Sequence, residues 1–257
     1  KRDSDPRGKI PPAVGLRRQQ LPMKQSIRSW IDDLASVIFP RVCEVCGRSL
    51  AHGEQILCLE CLTDMPRTGI ASDAFTQMHI RLASPGLPVE KAASWFYYYR
   101  DSPYAKLIQQ AKYNGRPRLA RTLGRMFATE IAPTGFFDGI DVITPVPLAT
   151  LKFIIRGYNQ AKEIALGISD ATGLPVEKML HARRHSTQTR RTSYQRWINT
   201  RGVYTVSKHH TPDSRHILLV DDVMTTGATT LSCLTALRTA SPAARISVAT
   251  LALAHKY

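Results

Sequence analysis

Apolar residues recur along the chain at two periods, and the alternation between them outlines an α/β protein. Ile27, Trp30, Ile31, Leu34 and Ile38 step by three and four residues behind Ser26, a candidate cap, and Pro40 closes that helix. Residues 67–91 are rich in Pro, Ser and Gly with little periodicity, and read as a linker or hood. From residue 92 the texture changes. Residues 92–99 are β-prone and aromatic. Ser102-Pro103 starts a helix that stops near Gly115, and a second helix over 117–131 ends before Pro133. Residues 141–144 form a short buried strand that runs into Pro145-Val146-Pro147, and a helix over 158–171 stops at Gly173. Residues 177–208 are polar and Arg-rich. An apolar strand over 216–220, a helix over 229–239 and a final strand over 246–253 complete the chain. Strands separated by helices predict an α/β domain with a mainly parallel sheet, and no internal repeat is visible.

Composition narrows the class. A chain of 257 residues with 43% hydrophobic content can bury one sizeable core, or one core and an appendage. Gly and Pro together make 31 of 257 residues, which excludes collagen and a wholly disordered chain. No run of about 18 apolar residues occurs, so no transmembrane helix is expected. The first residues, Lys1-Arg2-Asp3-Ser4, lack a secretory apolar stretch, and the expected compartment is cytoplasmic. Residues 1–22, with six Lys/Arg and four Pro, read as a disordered leader, and Met23 as a start. The net charge is +15, of which the leader carries +4, so the body itself is basic. A polyanionic partner or substrate follows: nucleic acid, anionic membrane or a phosphorylated metabolite.

Residues 23–66 join the first helix to four cysteines. Cys43-x2-Cys46 and Cys58-x2-Cys61 have the spacing of a four-thiolate zinc site. Each pair puts two sulfurs on one turn, Gly47 suits a knuckle, and two turns close a tetrahedron. Redox dithiols or disulfides are the alternatives. Such a site holds one Zn2+ per chain with no open position, hence a structural role. His52 is a substitute ligand in reserve, and Cys233, inside an apolar helix, reads as core.

The most informative segment is Ile217-Leu218-Leu219-Val220-Asp221-Asp222-Val223-Met224-Thr225-Thr226-Gly227-Ala228-Thr229. An apolar strand delivers two carboxylates, and a hydroxyl-rich loop then opens a helix. Ligands of open α/β sheets bind at such strand ends. Loop N–H groups and the helix N-terminus attract an anion, and adjacent acids suit a cis-diol or a Mg2+ carried with it. A sugar phosphate meets both demands. No Walker lysine follows.

This segment resembles the phosphoribosyl pyrophosphate signature of type I phosphoribosyltransferases. The resemblance implies ribose contacts for Asp221 and Asp222 and 5′-phosphate contacts for Thr225, Thr226, Gly227, Ala228 and Thr229. It places the pyrophosphate loop at Pro145, Val146 and Pro147. A four-cysteine module ahead of such a domain is similar to the ComF/GntX family, the competence protein F relatives linked to DNA uptake. Lys112-Tyr113-x-Gly115, Pro145-Val146-Pro147, Arg156-Gly157-Tyr158-Asn159-Gln160 and Arg196-x-x-Asn199 stand in that family's order, with Tyr158 where Phe is usual. The implied fold for 92–257 is a type I phosphoribosyltransferase-like parallel sheet with flanking helices, behind a zinc knuckle or ribbon.

Basic residues fill out the site. Seven Lys/Arg lie between Arg100 and Arg125, and eight between Lys178 and Lys208, interleaved with Tyr113, Tyr194, Trp197 and Tyr204. Arginines with aromatics suit a groove for single-stranded DNA. Arg183, Arg184, Arg190 and Arg191 also fit a loop closing over a polyanion. Lys112, Arg156, Asn159 and Arg196 are auxiliary candidates for phosphate or nucleic acid. Solvated faces, caps and helix-end charges are the plain alternatives for all of these. The expected function is binding of phosphoribosyl pyrophosphate or a related sugar phosphate in DNA uptake or handling, with DNA-uptake proteins as possible partners. An active phosphoribosyltransferase acting on a nitrogen nucleophile is the alternative. No catalytic residue is visible, and His181, His185, His209, His210 and His216 have no ligand or catalytic spacing.

Overall fold

A computed structural model describes residues 41–69, 73–83, 87–113, 115–182, 203–207 and 214–254. The expected leader, the helix over 26–38 and the arginines 183, 184, 190, 191 and 196 lie outside the described residues. In chain order the elements are α1 (Leu59–Thr63), α2 (Asp73–Leu82), β1 (Ala92–Tyr98), α3 (Ala105–Tyr113), α4 (Pro117–Ile131), β2 (Val142–Pro145), α5 (Thr150–Arg156), α6 (Gln160–Thr172), β3 (Leu180–Ala182), β4 (Tyr204–Val206), β5 (His216–Met224), α7 (Ala228–Ala240) and β6 (Arg245–Ala254).

Four strands form one parallel sheet in the order β1-β6-β5-β2. β3 and β4 pair antiparallel beside it. The alternation of side chains along a strand decides what covers each face. Leu218 and Val220 of β5 join Leu123 and Phe127 of α4 and Ile164 and Ile168 of α6. Ile217 and Leu219 join Leu231, Leu234 and Leu237 of α7, Met78 and Leu82 of α2, and Met179 and Leu180. Both faces of β5 are therefore buried, which is why its sequence is a continuous apolar run.

α4 and α6 meet through glycines. A Cβ on Gly124 would lie 2.3 Å from the Ile164 carbonyl oxygen, and one on Gly167 would lie 2.0 Å from that of Arg121. Only hydrogen fits at either position, so the two backbones approach closely and carry α6 over the sheet.

The expected α/β class is the observed one, with three differences in detail. The stretch expected as a linker contains α2, whose Met78 and Leu82, one turn apart, are buried. Flanking Gly, Ser and Pro hid that pattern. The polar stretch after 177 contributes β3 and β4, each three residues long and too short to show a period. α5 escaped notice because it has no buried residue, so no inward stripe exists to read. Its Leu151, Phe153, Ile154 and Ile155 are all exposed.

Candidate functional site: a cysteine cluster and a pocket at the sheet's carboxyl end

The four cysteines converge, with their sulfurs within 4.8 Å of one another. Cys46 Sγ lies 3.7 Å from Cys58 Sγ. A tetrahedron built on Zn–S bonds of about 2.3 Å has edges of about 3.8 Å, so the spacing fits a four-thiolate metal site. Two independent dithiols would not need to face each other in this way. The knuckle forms as the sequence suggests. Gly47 takes φ +76°, and its N–H donates to the Cys43 carbonyl at 2.9 Å. The backbone N–H of Arg48, foremost, holds the Cys46 thiol down at about 6. Burial pushes Cys61 up. His52 is exposed and outside the cluster.

The second site lies where β2 ends beside β5, which continues past it to Met224. Val146 N–H donates to the Val220 carbonyl at 2.8 Å, which extends the β2–β5 pairing past Pro145. A cavity of about 390 Å3 opens there, lined by Lys112, Val146, Pro147, Lys152, Arg156, Asn159, Asp221, Asp222, Thr225 and Thr229, with Tyr98 and Tyr204. A volume of this size suits a small molecule. Tyr98 and Lys152 are lining residues that sequence reasoning did not single out, and Tyr204 was named only among the aromatics of the Arg-rich stretch. Pro145, Thr226, Gly227 and Ala228 are not lining residues. Pro145 is buried in β2.

The two carboxylates are distinguished by strand geometry. They lie inside β5, still paired to β6 through Asp221 opposite Thr250. Alternation continues the face pattern of residues 217–220, so adjacent acids turn to opposite faces of the sheet. Asp222 meets Lys112 at the end of α3, Oδ2 to Nζ 3.1 Å. Burial, and then the charge of Asp222, push the Asp221 carboxyl up to about 7. Tyr204, on the other face, feels the Asp221 charge, although burial is the main cause of its raised value. The pocket thus contains a carboxyl poised near neutrality, invisible in the sequence because it arises from burial.

The loop after β5 is fixed from outside. Gly227 takes φ +81°, and a Cβ there would lie 2.9 Å from the Arg81 carbonyl oxygen. Arg81 Nη1 donates to the Thr225 carbonyl at 3.1 Å. α2, absent from the expected elements, therefore buttresses the hydroxyl loop. Thr226 Oγ1 accepts from Ala228 N–H at 3.4 Å.

The Arg156-Gly157-Tyr158-Asn159-Gln160 block ties α3 to the loop after β2. Asn159 Oδ1 caps α6 by accepting from Ala161 N–H at 3.0 Å, and its Nδ2 donates to the Val146 carbonyl at 3.0 Å. Tyr158 hydroxyl donates to the Ala111 carbonyl. Gln160 Nε2 donates to the Lys112 carbonyl at 3.3 Å, and its Oε1 accepts from Arg156 Nη1 at 2.9 Å. Asn159, for which a cap was the plain alternative in the sequence, both caps α6 and holds the loop after β2. Of the histidines, His216 is fixed structurally. One ring nitrogen faces the Gly139 carbonyl at 2.9 Å, the other the Ser247 hydroxyl at 2.8 Å, and burial lowers its basicity.

A parallel α/β domain with acids and a hydroxyl loop at one strand end, carrying a four-cysteine cluster, defines the class. Known proteins locate it further. No family model matches the chain. The DNA utilization protein YhgH of Escherichia coli O6:H1 (strain CFT073) is 30% identical over 203 residues, 73% of this chain and 80% of that protein. Competence protein F of Haemophilus influenzae is 31% identical over 134 residues, 49% of this chain and 58% of that protein. The glutamine phosphoribosylpyrophosphate amidotransferase of B. subtilis, solved with ADP and GMP, is 22% identical with a TM-score of 0.38, over 56% of this chain and 30% of that one. The chain belongs to the ComF/GntX family of competence protein F and YhgH.

Proposed function

We propose that the chain binds a phosphoribosyl ligand, phosphoribosyl pyrophosphate or a related sugar phosphate, and serves DNA utilization or competence as its relatives' names describe. The observation that carries this reading is the meeting of Asp221, Asp222, Thr225 and Thr229 with three cations in one cavity. In it, the 5′-phosphate sits on the N–H groups and hydroxyls of residues 225–229 at the start of α7, where orphan donors and the helix dipole favour an anion. The ribose hydroxyls donate to Asp221 and Asp222. Lys112, Lys152 and Arg156 screen further negative charge, with Val146 and Pro147 forming the wall where a pyrophosphate would lie.

Carboxylate donors suit a hard cation, and Mg2+ carried by a diphosphate would supply charge neutralisation at that group. The cysteine cluster holds structural zinc. Single-stranded DNA and DNA-uptake proteins are the partners proposed for the basic surface. Phosphoribosyl transfer to a nitrogen nucleophile remains the alternative use of the same pocket.

Calorimetric titration of the zinc-loaded protein with ribose 5-phosphate, and with phosphoribosyl pyrophosphate plus Mg2+, tests the reading. Micromolar binding is expected. Asp222→Asn should weaken it by about tenfold or more, the worth of a hydrogen bond to a charged group, with the near-ultraviolet circular dichroism unchanged. Absence of binding by either ligand overturns the site.

A further inference from the structure

The last turn of α3 carries Lys112, the partner of Asp222, and three successive residues there are each held by a different side chain. Arg116 Nη1 donates to Gln110 Oε1 at 3.3 Å, the Tyr158 hydroxyl donates to the Ala111 carbonyl, and Gln160 Nε2 donates to the Lys112 carbonyl at 3.3 Å. The last carbonyls of a helix have no partner within it, so the groups that bond them fix where the helix stops. Two of these contacts come from the block of residues 156–160 beside the pocket. The third comes from Arg116, which does not line the pocket.

Arg116 faces the cysteine cluster instead. Its guanidinium forks onto Glu44, Nη1 to Oε2 at 2.7 Å and Nη2 to Oε1. Glu44 stands between Cys43 and Cys46, and its N–H donates to the Ile56 carbonyl at 2.9 Å. Its side chain is 13% exposed, against 56% for Glu60, which pairs with Arg48 in the same module. An enclosed carboxylate is costly without its cation, and a planar two-point pair fixes direction as well as charge. The backbone of Arg116 reaches the same region. Burial raises the Tyr158 hydroxyl, and a hydrogen bond from the Arg116 backbone opposes that rise.

We propose that Arg116 is a positioning residue that couples the two sites: held by Glu44 of the first cysteine turn, it sets the end of α3 and thereby the reach of Lys112 to Asp222, so that a ligand in the pocket and a metal in the cluster strengthen each other's binding. The proposal rests on the phosphoribosyl reading above and adds its regulation. Metal on Cys43 and Cys46 fixes the turn that carries Glu44. A fixed Glu44 gives Arg116 one orientation, and the last turn of α3 is then set before the ligand arrives. Coupling between two binding events is reciprocal, so a sugar phosphate tightens the metal by the factor with which the metal tightens the sugar phosphate.

Zinc retention by the full chain is titrated against a colorimetric chelator with and without saturating ribose 5-phosphate, and calorimetry measures ribose 5-phosphate binding to the zinc-loaded chain. Ribose 5-phosphate is expected to raise zinc retention about fivefold or more in the wild type. In Arg116→Gln and in Glu44→Gln the effect should fall to within about twofold of none. Arg48→Gln breaks the exposed pair of the same module and should keep the full effect, whatever it does to retention itself. A merely structural contact would lower retention in the variants without changing its response to the ligand. Near-ultraviolet circular dichroism, and one zinc per chain before chelation, check that the variants fold. If ribose 5-phosphate binds the wild type and leaves zinc retention unchanged, the coupling is overturned and the sugar-phosphate reading stands. An undiminished effect in both Arg116→Gln and Glu44→Gln also overturns it. If ribose 5-phosphate does not bind, the underlying reading fails and the proposal fails with it.

Discussion

Asp221 and Asp222 are chemically alike and one peptide bond apart, yet the sheet makes them different groups. Asp222 is compensated by Lys112, whereas burial and its neighbour's charge raise Asp221 to about 7. The folded-state value of Asp221 lies above its ordinary 3.8, so keeping it ionised costs stability. That cost is absent below about pH 4, grows as pH rises between the two values, and is complete above about pH 7. Asp221→Asn should therefore exceed the wild type in stability by about 1–3 kcal/mol at pH 8 and show no gain at pH 4. Urea denaturation at both pH values measures this. A gain that is the same at both would refute the burial of a charge as its cause. In the proposed ribose site the same variant should also bind ribose 5-phosphate more weakly, having lost a charged acceptor.

At the scale of elements, α6 begins at a residue with two duties. Asn159 caps the helix through Oδ1 and holds the Val146 carbonyl through Nδ2. Asn159→Ala removes both, at about 1–2 kcal/mol. Asn159→Asp retains the cap acceptor and loses the donor to Val146. It should stay within about 0.5 kcal/mol of the wild type in stability while binding ribose 5-phosphate more weakly, since the loop after β2 loses its tie. Denaturation and calorimetry on the pair separate cap from loop, and equal stability losses in both would contradict the division. Cap and turn signals at this point were legible in the sequence because they depend on residues two apart. The tie to Val146 spans 13 positions and was not.

Across the whole molecule, the cysteine cluster and the sheet share one core. Cys43, Leu57, Cys61 and Met65 pack in the same cluster as Trp95, Phe96, Tyr104 and Leu119. Tyr104 hydroxyl donates to the Cys61 carbonyl at 2.8 Å, Arg116 pairs with Glu44, and Arg67 reaches Glu130, which also accepts from Trp95 Nε1 at 3.0 Å. Metal removal should therefore be felt beyond the cysteines. Elemental analysis is expected to find one zinc per chain, and chelation should lower the melting temperature of the whole transition by about 10 °C or more. An unchanged melt after complete zinc loss would contradict the structural role.

Local signals along the chain specify the class of fold, the four-cysteine cluster and the strand that carries the acids. These rest on periodicity, on spacings of two to four residues and on a run buried on both faces, all of which are local. Tertiary structure alone decided that α2 braces the hydroxyl loop, that Lys112 pairs directly with Asp222, and that Arg156 stands over the Tyr113 ring. Each joins residues 43 to 144 positions apart, with no period to announce them. The near-neutral carboxyl of Asp221 has the same origin. A residue's charge is written in its identity, but the water it loses depends on what the rest of the chain packs around it.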